Sequence, residues 1–317
     1  GNEDGQVKTF SRVRTFSSAI VAIAIAASIA FSSWLGADSL NWQVVMAVVA
    51  LAIGIPHGAV DHLVTLPKSA PWKMAIFVVI YVAIALAAIW AILQWNVWGF
   101  IAVVIMSATH FGIGDSAFIS ELNHLKGNTS SKLPVWAYAP AAGLLPVVIP
   151  LVNSRSTEAL TKVNAELINW HYGYTSEIQI AVAAIATLSA MALITRKRYR
   201  DLLDVALLAT LASVAPPLVA FAVYFGCWHA MRHTARLTLS LETSQRAYGE
   251  GNLRKVFLSA VLPGTPALVG TFLIAGVLAL LGNEFNDDFF WMALVVVWAL
   301  TVPHMAVTAK LDRSALT

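Results

Sequence analysis

The chain has 317 residues, of which 58% are hydrophobic and 12% charged, and its mean hydropathy is +0.73. Because soluble globular domains carry about 25% charged residues, this composition excludes an ordinary soluble protein and indicates a polytopic membrane protein. The net charge is +3, and the basic residues stand in short clusters between apolar runs. Such clusters are typical of the loops of membrane proteins and not of a nucleic-acid-binding surface. The single cysteine, Cys227, excludes an internal disulfide and a cysteine-rich metal site, so the eight histidines are the main candidate ligands.

Residues 1–16 are polar and basic, and a long apolar run follows them. Because further apolar runs come after it, we interpret this run as a retained first helix and not as a cleaved signal peptide. We therefore expect a single transmembrane domain over 1–317, with a short polar cytoplasmic segment at 1–16.

Ten apolar runs approach the length of about 20 residues that a spanning helix needs. The fold class expected is all-α, a polytopic transmembrane helix bundle. The seventh run is the weakest, because it is short and ends at Pro216-Pro217, where a helix must break or restart. The ten runs are 17–35, 41–60, 74–93, 97–118, 134–152, 178–195, 202–215, 217–238, 256–281 and 289–309.

Basic residues in the connecting segments predict the orientation. When alternate loops are assigned to opposite sides, one side collects most of the lysines and arginines, including the cluster at 196–200. Cytoplasmic loops are enriched in these residues, so both termini are predicted to be cytoplasmic. Removing one span would invert every later loop and destroy this bias, which supports the count of ten.

Two histidines stand four residues apart late in the eighth predicted span. His229 and His233 lie on one face of a helix, because four residues complete slightly more than one turn. Two imidazoles arranged in this way can chelate one metal ion, and burying them in an apolar span is costly unless their nitrogens are satisfied. The alternative is a pair that faces water or lipid headgroups, so the spacing alone is a hypothesis.

Other histidines fall at the same predicted depth, at the cytoplasmic ends of their spans. A shared site explains this agreement better than a random scatter, whereas His124 and His171 lie in predicted loops and are expected to be solvated. The histidines at the shared depth are His57, His62, His110, His229, His233 and His304.

Two aspartates follow these histidines closely. Asp61 is four residues after His57, and Asp115 is five residues after His110. A metal-bound histidine usually donates its other N–H to a carboxylate or a carbonyl, so both aspartates are candidates for that role. The alternative is that each caps a helix end or contacts water.

Three motifs carry a resemblance: Pro56-His57-Gly58-Ala59-Val60-Asp61-His62, His110-Phe111-Gly112-Ile113-Gly114-Asp115 and Trp228-His229-Ala230-Met231-Arg232-His233. Together they resemble the histidine motifs of the Brp/Blh family of integral-membrane β-carotene 15,15′-dioxygenases. The resemblance implies an enzyme that cleaves the central double bond of β-carotene, or of a related carotenoid, with O₂ to give two retinals. It further implies a multi-pass protein of a prokaryotic cytoplasmic membrane with a functional link to a retinal-binding rhodopsin.

The resemblance also implies a single Fe(II) held by four histidines, His57, His110, His229 and His233. His62 stands in the same motif as His57 and is an alternative to it. The remaining candidates, either alternative ligands or hydrogen-bond partners of the ligands, are Asp61, Asp115 and His304.

Oxidative cleavage of an alkene needs a redox metal with an open coordination position for O₂. Four neutral imidazoles suit Fe(II) and leave two positions of an octahedral ion open, whereas zinc cannot activate O₂. A rigid polyene dissolved in the bilayer would enter sideways into a long apolar tunnel. Candidate lining residues, each with ordinary packing as the alternative, are Phe111, Phe118, Tyr224, Phe225, Trp228 and Met231.

Two other classes use histidines in a membrane. A haem-binding electron carrier needs axial histidines on facing helices, and a Soret band would reveal it. A metal or proton transporter needs ionisable side chains along the whole path, and the predicted clustering in one leaflet argues against such a path.

Overall fold

A computed structural model describes residues 2–31, 43, 46, 50, 70–128, 131–156, 160, 164–264 and 287–317. All regular structure in these residues is helical, and none of them forms a β-strand, which confirms the all-α prediction. Most of the second and ninth predicted spans lie outside the described residues. So do three of the predicted site residues, His57, Asp61 and His62.

The helices are α1 Asn2–Ala30, α2 Pro71–Gln94, α3 Asn96–Leu125, α4 Val135–Leu151, α5 Thr175–Thr195, α6 Tyr199–Val214, α7 Pro217–Val223, α8 Ala230–Leu237, α9 Glu242–Gly249, α10 Leu253–Val261 and α11 Asp287–Leu316. A π-helical turn, Tyr224–His229, joins α7 directly to α8. Short 3₁₀ turns cover Ala165–Asn169 and Leu262–Gly264.

Four of the described helices, α1, α2, α3 and α5, are long and apolar enough to cross a membrane. Helix α4 is also apolar but shorter, with 17 residues. These helices indicate a membrane protein. The count of ten spans and the cytoplasmic location of the termini stay predictions. Helix α2 turns most of its apolar side chains outward, as a lipid-facing helix does; they include Trp72, Ile76, Val79, Ile80, Leu86 and Trp90.

Several N-terminal residues are buried in the helix bundle, although this segment is polar and basic. Helix α1 begins at Asn2, so the predicted polar segment is continuous with the first apolar helix. Phe10 is fully buried and stacks on Phe118, with ring centroids 5.2 Å apart. Arg14 is buried because two carboxylates of α6, Asp201 and Asp204, lie 2.6 and 3.0 Å from its Nη2. Partners nearly 190 residues away make this basic residue part of the interior.

Helix α3 lies at the centre of the bundle and contacts α1, α2, α4, α8 and α11. Its closest neighbour is α4, because glycines face each other where the two helices cross. A Cβ atom on Gly112 would overlap the carbonyl oxygen of Ala139, and one on Gly143 would overlap that of Ala108. Small residues allow this backbone contact in membrane helices, and it positions both His110 and the following residues of α3.

Replacing Gly112 with alanine is expected to destabilise the protein, because the added methyl group cannot be accommodated without separating α3 from α4. A cost of about 1 to 3 kcal/mol in unfolding free energy is typical of such overpacking. Thermal unfolding in detergent measures it. Gly114→Ala is the matched control, since a Cβ there has no atom within 4 Å; equal effects of the two substitutions would contradict the backbone contact.

Candidate metal centre

Four histidines from α3, the π-helical turn, α8 and α11 come together in the interior. Their ring centroids form a closed circuit: His110 to His229 is 5.1 Å, His229 to His233 is 6.2 Å, His233 to His304 is 5.6 Å and His304 to His110 is 5.5 Å. Each of the four residues is less than 10% exposed. We call these four residues the histidine ring.

The histidine ring fits a first-row metal ion in donor chemistry and in size. Imidazole nitrogens bind such ions at about 2.1 Å, so the ring centroids of two ligands lie roughly 4.5 to 6.5 Å apart. All four measured separations fall in this interval. The coordination sphere is not closed, since no three potential ligands in the described part of the chain have metal-site geometry.

The π-helical turn lies directly before α8 and includes the first histidine of the pair His229 and His233. Helix α7, the turn Tyr224–His229 and α8 follow one another without a gap, and His229 is the last residue of the wider turn. Wider turns of this kind occur frequently at functional sites. The rings of His229 and His233 stack with an interplanar angle of 17°, so both residues share the face that their spacing predicts.

Thr308 orients the imidazole of His110. Its hydroxyl group donates to the carbonyl oxygen of His304 at 3.1 Å, and its Oγ1 lies 3.3 Å from Nδ1 of His110. With the hydroxyl proton on a carbonyl oxygen of α11, Oγ1 accepts from Nδ1–H, and Nε2 then carries a lone pair. That Nε2 atom is buried and has no hydrogen-bond partner in the described part of the chain. A metal-binding histidine needs this tautomer.

Asp115 stabilises the helix that carries the two histidines. It accepts hydrogen bonds from Tyr138 Oη at 2.5 Å, Trp228 Nε1 at 3.2 Å and Arg232 Nη1 at 2.8 Å. Trp228 and Arg232 directly precede the two helix histidines in the sequence. Asp115 therefore contacts the neighbours of the histidines, and its effect on the histidine ring is through the position of the helix.

Arg232 links the site to the rest of the bundle. Its Nη1 lies 2.8 Å from Asp115 and 3.1 Å from Asp204, and its Nε donates to Ser17 Oγ at 3.0 Å. The guanidinium carbon lies 3.7 Å from the ring centroid of Trp228. Buried charges are stable in proteins when they are paired and hydrogen-bonded. This cation joins α1, α3, α6 and α8 at one point.

A second buried cation positions α11. Arg236 pairs with Glu121 of α3 at 3.2 Å and with Asp312 of α11. Asp312 is eight residues after His304, with Thr308 halfway between, so all three lie on one helix face. Helix α11 therefore contacts the site at three successive turns, and this arrangement brings His304 into the histidine ring.

A small pocket lies beside the histidine ring. Two predicted lining residues, Tyr224 and Trp228, contribute to its wall. Its polar wall is formed mainly by charged side chains and imidazoles. The lining residues are His110, Gly114, Asp115, Tyr224, Trp228, His229, Arg232, His233 and Arg236.

The other predicted lining residues have different positions. The ring of Phe111 packs on His229 at 4.4 Å, and Phe225 lies 5.8 Å from the same imidazole. Phe118 is fully buried between Phe10 and the Arg232 guanidinium, so its contacts are those of a core residue. Met231 is half-buried and packs against the main core.

The two other histidines among the described residues, His124 and His171, stand apart from the ring. His124 is exposed near the end of α3, which extends beyond its predicted boundary. His171 accepts a hydrogen bond from the backbone N–H of Gly173 at 3.1 Å in a turn. Sequence reasoning missed the roles of Thr308, Arg232, Arg236 and Asp312. The four-residue spacing from His304 to Thr308 and on to Asp312 was an available signal for two of them.

The fold and the site define a helical membrane protein with a buried polyhistidine centre. The family described as Beta-carotene 15,15′-dioxygenase matches residues 48–312. A beta-carotene 15,15′-dioxygenase of uncultured marine bacterium 66A03 is 24% identical over 86% of this chain and 94% of its own length. A probable beta-carotene 15,15′-dioxygenase Blh of Halobacterium salinarum is 27% identical over 83% of this chain and 82% of its own.

The chain belongs to the β-carotene 15,15′-dioxygenase family and is a carotenoid-cleaving dioxygenase. This confirms the resemblance that the three histidine motifs carry. No solved structure matches the chain.

Replacing Asp115 with asparagine is expected to lower the unfolding free energy by about 3 kcal/mol, because it removes one of the carboxylates that pair with a buried guanidinium. Thermal unfolding in detergent measures the change. Glu250→Gln is the control, since its ion pair with Lys255 is more than half exposed and such pairs contribute less than about 1 kcal/mol. A loss no larger than that of the control would show that Asp115 does not stabilise the helix.

Proposed function

We propose that this protein is a non-haem Fe(II) dioxygenase that cleaves the 15,15′ double bond of β-carotene with O₂ to give two molecules of retinal. The observation that carries the proposal is a closed circuit of four buried imidazoles in a member of this family. One oxygen atom of O₂ ends on each carbon of the broken bond. Atoms and electrons therefore balance without an external reductant.

The iron would be held by His110, His229 and His233, together with His57 as the motifs imply. His62 is the alternative to His57, and His304 is the further histidine that contacts two of the ring members. Iron supplies the activation of O₂, which a redox-inert ion cannot provide. Neutral imidazoles would hold the ion without adding negative charge, and the hydrocarbon would contact the aromatic side chains beside them.

The residues of the chain position the substrate and exclude water. Phe111, Tyr224 and Trp228 form an aromatic wall next to the imidazoles, and each of them is less than 10% exposed. Flat rings complement a flat polyene, and their burial excludes water from the reaction. Thr308 and Asp115 hold the histidines and their helix in place, so less reorganisation is needed when the substrate enters.

The substrate is proposed to reach the site from the bilayer. β-Carotene is a hydrocarbon that dissolves in lipid, and α2 presents a broad apolar surface to that environment. We place the protein in a prokaryotic cytoplasmic membrane with about ten spans and both termini in the cytoplasm. Its retinal product would serve as the chromophore of a rhodopsin. A haem-binding electron carrier is the alternative, and a Soret band in the absorption spectrum of the purified protein would identify it.

Expression in cells that accumulate β-carotene is expected to remove the orange colour and to produce retinal, detected by chromatography. His229→Ala and His233→Ala should abolish this activity, because each removes an imidazole of the ring. His124→Ala is the control and should retain activity, since His124 is exposed at the end of α3. Persistence of β-carotene beside folded, iron-loaded protein would reject this substrate, and aldehydes of unequal length would reject central cleavage.

Replacing His304 with alanine is expected to weaken iron binding at least ten-fold, because its ring lies within 5.6 Å of both His110 and His233. Even partners outside the ligand set change metal affinity by about 10- to 100-fold. Titration of the purified protein with Fe(II) measures this affinity, and His171→Ala provides a control in a loop. Unchanged affinity would remove His304 from the metal centre.

A further inference from the structure

Two hydrogen-bond donors in the pocket have no acceptor in the described part of the chain. They are the hydroxyl group of Tyr224 and the Nη2 group of Arg232, and both side chains are almost fully buried. Both residues line the pocket that the imidazoles of the histidine ring also line. Leaving such a donor buried without an acceptor costs about 1 to 3 kcal/mol, and more when the group is charged. Two of them in one pocket indicate a ligand with an oxygen atom.

The guanidinium of Arg232 is held in one orientation. Its Nε and Nη1 atoms are used by Ser17, Asp115 and Asp204, and its plane lies against Trp228. Because a guanidinium is planar and rigid, these contacts also set the position of Nη2. The remaining donor is therefore available to a ligand without any loss of side-chain freedom.

Tyr224 is held equally firmly. It begins the π-helical turn, and its ring packs edge-on against Phe111 at 5.4 Å and lies 6.4 Å from His229. Its hydroxyl group is the one polar atom on this otherwise apolar side chain. A phenylalanine would fill the same space, so packing does not explain the hydroxyl.

A hydrocarbon substrate cannot use these donors. β-Carotene has no hydrogen-bond acceptor, so neither group contributes to its recognition. Cleavage creates a carbonyl oxygen on each new end, and these ends are next to the histidine ring at the moment they form. Donors that bind the new carbonyl oxygen and make no bond to the hydrocarbon substrate favour the reaction. They also hold the new aldehyde end of the product in a defined place.

We propose that Tyr224 Oη and Arg232 Nη2 form a carbonyl-oxygen subsite, which binds the aldehyde oxygen of the cleaved carotenoid beside the histidine ring. The ligand class is a polyene aldehyde with its apolar tail directed away from the pocket. This inference rests on the proposed carotenoid cleavage, because that reaction supplies the aldehyde.

The test compares two ligands and two tyrosine variants in the purified full-length protein in detergent. The ligands are all-trans-retinal and the same polyene with a methyl group in place of the aldehyde. We expect retinal to bind about ten-fold more tightly than the hydrocarbon, the factor that hydrogen bonds to one oxygen atom provide. Tyr224→Phe should remove most of this preference, which is the ratio of the two affinities measured in the same variant. Tyr248→Phe is the matched control, since that buried hydroxyl bonds to Thr238 at 2.7 Å away from the pocket.

Vibrational spectroscopy of bound retinal gives a second readout that does not depend on turnover. Hydrogen bonding weakens the carbonyl bond, so its stretching frequency should be lower in the wild type and in Tyr248→Phe than in Tyr224→Phe. Equal frequencies in all three proteins, or an equal preference for retinal in all three, would overturn the subsite. Thermal unfolding of Tyr224→Phe verifies that the variant is folded.

The two proposals fail in different ways. If the iron-loaded wild type forms no retinal from β-carotene, the proposed function is wrong, whatever the binding data show. If retinal forms and Tyr224→Phe binds it with the same preference and the same carbonyl frequency, only the subsite is wrong.

Discussion

The pairing of Arg232 with Asp115 and Asp204 is the constraint on which the rest of the site depends. A buried guanidinium without these carboxylates would be too costly to keep, so α3, α6 and α8 must meet where the charges can pair. The two residues that precede the helix histidines are bonded to this network. Positions of the imidazoles therefore follow from an electrostatic requirement, in an environment that otherwise offers only apolar packing.

A second charged cluster complements the first. Arg236 joins α3 to α11 through Glu121 and Asp312, and this contact brings His304 next to His110. The histidine ring thus lies close to two charged clusters. One is centred on Arg232 and the other on Arg236, and they join different helices. Paired charges hold together the helices that carry the imidazoles. These contacts keep the buried imidazoles in one arrangement.

Some features could be predicted because they are local. The four-residue spacing places His229 and His233 on one face, and the length of the apolar runs indicates helices such as α2 and α5. Phe118 illustrates the opposite case: its position near the histidine motifs suggested a pocket residue, yet it packs between Phe10 and Arg232. Which face of a uniformly apolar helix turns toward a cavity is not visible in hydrophobic periodicity.

By itself the amino-acid sequence determined the helical class, the membrane environment and the family, because these depend on composition, run length and short motifs. Only the tertiary structure decided that Asp115 bonds to Tyr138, Trp228 and Arg232, that Arg14 is an interior residue, and that His304 belongs to the histidine ring. The physical reason is that buried charges and imidazoles are positioned by partners far away in the chain. Pairings of that kind are set by how the helices pack.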